Sequence, residues 1–249
     1  MTTKEFSQQF DLLLNSFKDF KDYGLTLGQI ITLSEYEKSL YLTKAQEAIV
    51  LELVSGKNNS LDFFEKTEEI RRYLQPLLRM FVISRSLSLT YRGVSPYSQF
   101  FSLEDLRTDD IWHVMFEQAV LNNDVVTEVK PHTHNEITKI LQNPYRSNFD
   151  RFTLRLDISD HNDKVVELVN SIKIKTYVLR YLKKPSPIIL EDFEDVSING
   201  IKNITECELD SSIHSTILGR AYQMALQAYI TARGTVPARE QNENNNNKN

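Results

Sequence analysis

The chain has 249 residues, of which 41% are hydrophobic and 25% are charged, so it is expected to fold as one or two globular domains. Its formal net charge of -5 opposes the wrapping of nucleic acid, because such binding needs many Lys and Arg side chains on phosphates. No apolar run is long enough to span a bilayer, and the first residues do not resemble a signal sequence, so we expect synthesis in the cytosol and no membrane partner.

Residues 1–79 show the apolar periodicity of a helical bundle. Three pairs in capping-box spacing mark the expected helix starts: Thr2 with Glu5, Ser34 with Glu37, and Asp62 with Glu65. We expect the first two helices to end near Phe20 and at Gly56. The third should kink or end near Gln75, because Pro76 cannot donate a backbone hydrogen bond.

In residues 80–190 the apolar period changes to two, which predicts an antiparallel sheet of about six strands with one short inserted helix. The expected strands are 81–91, a hairpin of 111–121 and 125–130, and three consecutive antiparallel strands at 152–158, 165–169 and 172–182. Residues 92–110 are predicted to be a loop, with a possible helical turn at 102–106. Thr133 and Glu136 form another capping box and begin the inserted helix.

Residues 191–234 begin as an acidic, irregular stretch with a turn at Asn199-Gly200 and continue as a helix over 211–232. Residues 235–249 form a polar, Asn-rich tail without a hydrophobic core of its own, which is expected to be disordered in isolation. The predicted fold class is therefore α+β, with an N-terminal helical bundle, an antiparallel sheet core and a long C-terminal helix.

The sequence shows no catalytic motif, no glycine-rich phosphate loop and no cofactor motif. His132, His134 and Glu136 alternate like metal ligands, but the capping box already accounts for Glu136, so we expect no metal. The acidic run between Glu191 and Asp195 could bind a cation but is more typical of a solvated loop. The single cysteine, Cys207, excludes an internal disulfide and is expected to be a small, half-buried apolar residue.

Several segments together resemble a known family, and they span about residues 30 to 230. They read LSEYEKSLYLTKAQEAIVLEL, FEKTEEIRRYL, VVTEVKPHTHNEITKILQNPYR, YVLRYLKKPSPIIL and CELDSSIHSTILGRAYQMA. Their order and spacing resemble structural proteins of tailed bacteriophages, particularly crAss-like phages of gut Bacteroidetes.

The resemblance implies a non-enzymatic virion protein of the neck or tail, assembled in the cytoplasm of the bacterial host. It implies a homo-oligomeric, dodecameric ring of the adaptor type, whose partners are the portal and other tail or ring proteins. Phage DNA would pass through this ring without specific binding.

Three basic residues are candidates for contacts between subunits: Arg146, Lys183 and Lys184. Their alternative interpretation is an internal salt bridge for Arg146 and a strand-end cap for the two lysines. Two other classes of function also stay open, a tail-associated hydrolase or nuclease and a host-directed binding protein.

Overall fold

The computed structural model of the chain describes residues 1–16, 32–55, 68–84, 86–87, 93–103, 111–143, 152–160 and 163–234. The chain forms two compact units. We call residues 1–76 with 185–249 the helical unit, and residues 77–184 the β unit. The α+β class is confirmed. Some predicted features lie outside the described residues: the ends of the first two helices, the start of the third helix and the Asn-rich tail.

The described part of the helical unit contains four α-helices: α1 (Thr3–Ser16), α2 (Glu35–Ser55), α3 (Glu68–Leu74) and α5 (His214–Gly234). The first two predicted capping boxes are confirmed, since Thr2 N donates to Glu5 Oε2 at 2.9 Å and Ser34 N donates to Glu37 Oε2 at 2.9 Å. A 3₁₀ turn, Gln75–Leu77, follows α3, which confirms that the helix ends near Gln75. A second 3₁₀ turn, Ser211–Ile213, precedes α5.

Within this unit α2 packs against α5, and α1 packs against both helices. Fully buried residues of these three helices include Phe6, Phe10, Leu42, Ile217 and Ala221. Each large apolar side chain buried in this way contributes about 1.5 to 3 kcal/mol to folding.

The β unit contains seven described strands and one helix. They are β1 (Leu78–Ile83), β2 (Ser98–Ser102), β3 (Ile111–Leu121), β4 (Val126–Pro131), α4 (His134–Gln142), β5 (Phe152–Asp160), β6 (Asp163–Val169) and β7 (Ile174–Lys183). The strand order is β1-β7-β3-β4-β5-β6-β2, with a parallel pair at β4 and β5 and antiparallel pairs elsewhere. Leu87 bridges to Phe100 of β2, so the sheet curls and brings the chain after β1 towards the opposite edge.

The inner face of this curled sheet forms the main core of the β unit. Its buried residues include Phe101, Leu121, Leu168, Tyr177 and Leu179. On the outer face, α4 covers β5 and β6 by packing Ile137 against Leu154, Leu156 and Val169. Helix α4 begins at the predicted capping box, since Thr133 N donates to the Glu136 carboxylate at 3.3 Å.

The predicted loop over residues 92–110 is wrong in part, because β2 lies within it and adds a seventh strand. The strand is short and carries two adjacent phenylalanines, so its sequence lacks the alternation that marks a half-buried strand. Pairing with β6 and burial of Phe101 stabilise it instead. The predicted helical turn at 102–106 is wrong at Ser102, which belongs to β2, and residues 104–106 lie outside the described residues.

The predicted pairing of the last three strands is confirmed for β5 with β6, which are antiparallel, but is wrong for β6 with β7. Strand β6 pairs with β5 and β2, whereas β7 lies between β1 and β3. Strand β7 is therefore an interior strand, as its apolar middle predicts, but β6 is not its neighbour. The hairpin of β3 and β4 is confirmed, and β1 begins at Leu78 rather than at residue 81.

Candidate assembly surfaces

An apolar surface lies on the outer face of the sheet where α4 does not cover it. Leu78, Met80 and Val82 occupy alternate positions of β1 and are exposed, with Met80 at 62%. Strand pairing places Met80 opposite Arg180 of β7, and Arg180 opposite Phe116 of β3. Residues opposite one another in paired strands share a face, so these side chains form one surface, which we call the sheet face.

Arg180 is the charged group at the centre of the sheet face. Its guanidinium lies 6.0 Å from the centre of the Phe116 ring, a cation–π contact that leaves the charge accessible. Among the described carboxylates none forms an ion pair with it. An exposed arginine on an apolar surface is typical of protein interfaces, where Arg and aromatic residues are enriched.

A second surface lies in the helical unit, on residues 189–206, which we call the acidic arm. Ile189 and Thr205 exchange backbone hydrogen bonds of 3.0 and 3.1 Å, and Phe193 N donates to Lys202 O at 2.9 Å. The tip is the predicted Asn199-Gly200 turn, in which both residues have positive φ, 51° and 80°. The acidic arm is therefore a folded hairpin with irregular pairing.

Helix α2 anchors the chain that leads into the acidic arm. Ser39 Oγ accepts from Leu190 N at 3.0 Å, and Thr43 Oγ1 accepts from Ile188 N at 3.1 Å. At the tip, Asn199 Nδ2 donates to Glu47 Oε1 at 3.2 Å. These contacts hold both ends of the arm on one helix.

The acidic arm exposes both carboxylates and apolar side chains. Its five carboxylates are all exposed: Glu191, Asp192, Glu194, Asp195 and Glu206. Its one lysine, Lys202, donates to Glu194 O at 2.7 Å. Val196, Ile201 and Ile204 are exposed beside the acids, with Ile204 at 51%.

The basic residues proposed from the sequence lie in different settings. Lys183 is the last residue of β7, opposite Ile111 of β3, and Lys184 follows it; both are half-buried and both interact with other groups. Arg146 lies outside the described residues. The sheet face was not predicted, because residues 78–83 are apolar at almost every position and give no alternating signal.

The two histidines weighed as metal ligands do not converge. His132 Nδ1 lies 3.8 Å from the Glu136 carboxylate, whereas His134 Nε2 lies 3.2 Å from the backbone oxygen of Asp157. The capping contact to Thr133 lowers the pKa of Glu136. In the described ranges no three His, Cys, Asp or Glu side chains form a group that could hold a metal ion.

Cys207 is half-buried, as predicted, and its thiol donates to Gln46 Oε1 at 3.3 Å. Burial raises the pKa of this thiol to about 11, so the reactive thiolate is scarce at neutral pH. Such a thiol is a packing residue rather than a nucleophile. None of the described helices combines the length and hydropathy that a membrane span requires.

Comparison with known proteins identifies the family of the chain. Residues 1–236 match the family model described as phage tail ring protein 3/4. The chain is 38% identical to Ring protein 3 of Bacteroides phage crAss001 over 235 residues, which cover 91% of this chain and 95% of that protein. It is also 30% identical to Ring protein 4/5 of the same phage over 235 residues, which cover 92% of this chain and 94% of that protein. The chain therefore belongs to the phage tail ring protein 3/4 family of crAss-like phages.

Proposed function

We propose that this protein is a non-enzymatic subunit of a homo-oligomeric ring in the head-tail connector or tail of a crAss-like phage. The observation that carries the proposal is the match to the ring protein family, which spans 236 of 249 residues. Two exposed apolar surfaces support it, because an assembled subunit needs surfaces that become buried only against its neighbours. The partners in this proposal are the portal and other tail or ring proteins.

A twelve-membered ring in the virion neck or tail, assembled in the host cytoplasm, is the form that the sequence resemblance implies. Phage DNA would pass through it during packaging or ejection. The net charge of -5 supports passage without binding, because a protein with more acidic than basic groups gains little from phosphate contacts. The candidate contacts Arg146, Lys183 and Lys184 remain part of this proposal as groups that touch neighbouring subunits.

The experiment that tests the proposal is localisation of the chain in purified phage particles. A small epitope tag is added after Asn249, outside the residues that match the family model and outside both proposed surfaces, and is labelled with antibody-coated gold for electron microscopy. The proposal predicts label at the neck or tail in every particle, and the mass of the purified protein should include closed oligomers.

Two results would replace this proposal with an alternative. A monomeric protein that is absent from the tail and binds host cells would favour the host-directed binding protein. Hydrolysis of cell-wall material or DNA that depends on added metal and is lost on changing His132 and His134 to Ala would favour the tail-associated enzyme.

A further inference from the structure

We infer that the sheet face of one copy binds the acidic arm of the next copy around the ring. This inference rests on the proposed function, since it names the interface by which the ring closes. The partner on the sheet face is thus a second copy of this chain.

The first step is symmetry. In a ring, every subunit touches its two neighbours through two different surfaces, so the chain must carry two patches that complement each other. The sheet face belongs to the β unit and the acidic arm belongs to the helical unit, so the two surfaces are made of different parts of the chain.

The second step is apolar area. The sheet face exposes Leu78, Met80 and Val82 on alternate positions of one strand. The acidic arm exposes Val196, Ile201 and Ile204. Removing both sets from water drives association, and each set alone is an apolar surface that a monomer would leave solvated.

The third step is charge. On β1 and β7, Arg79 and Lys183 alternate with the residues of the sheet face and so belong to the opposite face. Lys175 forms an ion pair with Asp124 at 3.0 Å, and Lys130 lies 3.9 Å from Glu128. The charge that the sheet face offers to a partner is therefore that of Arg180. The acidic arm carries five exposed carboxylates, and its single lysine already donates to a backbone oxygen. Arg180, which has no described carboxylate partner, is placed to meet these acids. Opposite charges across an interface select the correct partner and suppress the wrong one.

The test uses two variants of the full chain, each with one surface reversed. Arg180→Glu makes the sheet face acidic, and the pair Glu194→Lys with Asp195→Lys makes the acidic arm basic. Each variant alone would bring like charges together at every interface, so the fraction of protein in rings should fall at least about tenfold. Mass photometry and negative-stain electron microscopy of the purified proteins measure this fraction.

Mixing the two variants gives the sharpest readout. In an alternating ring, each intact acidic arm meets an intact sheet face, and each basic arm meets an acidic sheet face. Rings should therefore return in the equimolar mixture, and also in a chain that carries all three substitutions. The matched control, Lys139→Glu, reverses an exposed charge on α4 and should leave ring formation unchanged.

The outcomes separate the inference from the proposed function. If the intact chain and both variants form rings equally well, the interface lies elsewhere and the inference is wrong. The proposed function, a ring subunit, would then be unaffected. If the variants alone lose rings and the mixture does not regain them, the pairing of these two surfaces is also wrong. If the intact chain forms no closed oligomer and is absent from the tail of particles, the proposed function fails and the inference fails with it.

Discussion

At the scale of single residues, the most consequential group in the β unit is the buried carboxylate of Glu117. It is 4% exposed and accepts hydrogen bonds from the Tyr177 hydroxyl and the Arg155 guanidinium. Arg155 also forms an ion pair with Asp157 at 3.0 Å. The pKa of the Tyr177 hydroxyl is raised, mainly by burial and secondly by the adjacent Glu117 carboxylate. The hydroxyl therefore stays a hydrogen-bond donor at all ordinary pH values.

The variant Glu117→Ala should lower the free energy of unfolding by about 3 to 5 kcal/mol, because it leaves the Arg155 charge without its buried partner. Urea denaturation followed by circular dichroism measures this change. The matched control is Glu128→Ala, an exposed carboxylate 3.9 Å from Lys130, which should change stability by less than about 1 kcal/mol. Equal effects of the two variants would contradict the structural role assigned to Glu117.

Only glycine fits at position 93, because two neighbouring side chains approach its backbone closely. A Cβ atom added there would lie 2.2 Å from Ser98 Cβ and 2.3 Å from the buried Glu167 carboxylate, which also accepts from Val94 N at 2.7 Å. Gly93→Ala should therefore destabilise the protein by about 1 to 3 kcal/mol through overpacking. Its effect is measured by thermal and urea unfolding.

The contrasting variant is Gly219→Ala in α5, where an added Cβ meets no atom within 4 Å. This change should stabilise the protein by about 0.5 to 1 kcal/mol, because alanine favours a helix more than glycine does. A neutral Gly93→Ala variant would show that the loop before β2 can relax away from Glu167.

Caps and turns could be predicted from the sequence, because the residues that form each of them lie within one short segment. The capping box at Thr133 and Glu136 and the left-handed turn at Asn199-Gly200 are both of this kind. Glu117 could not be recognised in the same way, because Arg155 and Tyr177 lie 38 and 60 residues further along the chain. A buried ion pair of this type has no local sequence signal.

At the scale of elements, the assignment of the two faces of the sheet can be tested at Leu156 and Leu179, which are 0% and 1% exposed. Leu156 packs beneath α4 on the outer face, and Leu179 packs in the core on the inner face. Replacing either by alanine should cost about 2 to 5 kcal/mol in unfolding free energy. Leu12→Ala, at a site that is 68% exposed, serves as the control and should cost far less.

Urea or thermal denaturation of the three variants checks this prediction. Because the two leucines lie in different clusters, the double variant should show nearly additive losses. Melting temperatures of the Leu156 and Leu179 variants that stay at the value of the unchanged chain would show that the faces of β5 and β7 are assigned incorrectly.

Most elements could be predicted from the sequence, but their partners could not. Strands β3, β4, β5 and β7 and helices α2, α4 and α5 follow from periodicity and caps within a few residues. The neighbours of β6 and β7 depend instead on pairings across the whole unit, such as Phe101 of β2 with Val166 of β6. The sheet face was also missed, since only the pairings of β7 with β1 and with β3 bring its residues together.

At the scale of the whole molecule, both surfaces are of the kind that a neighbouring subunit would cover. The acidic arm combines exposed isoleucines with five exposed carboxylates, and the sheet face combines exposed aliphatic side chains with an arginine that lacks a described carboxylate partner. A monomer would leave this apolar area in water without compensation. The chain belongs to the phage tail ring protein 3/4 family, and the ring that we propose for it would cover both surfaces.

The central claim is that copies of this chain form a closed ring in the phage neck or tail. Cryo-electron microscopy of the neck and tail of intact particles, refined with rotational symmetry, tests it most directly. We expect a ring built from this chain, with twelve copies, in which Arg180 of each copy faces the carboxylates of the next copy's acidic arm. A complete reconstruction of the neck and tail that contains no ring of this chain would contradict the claim.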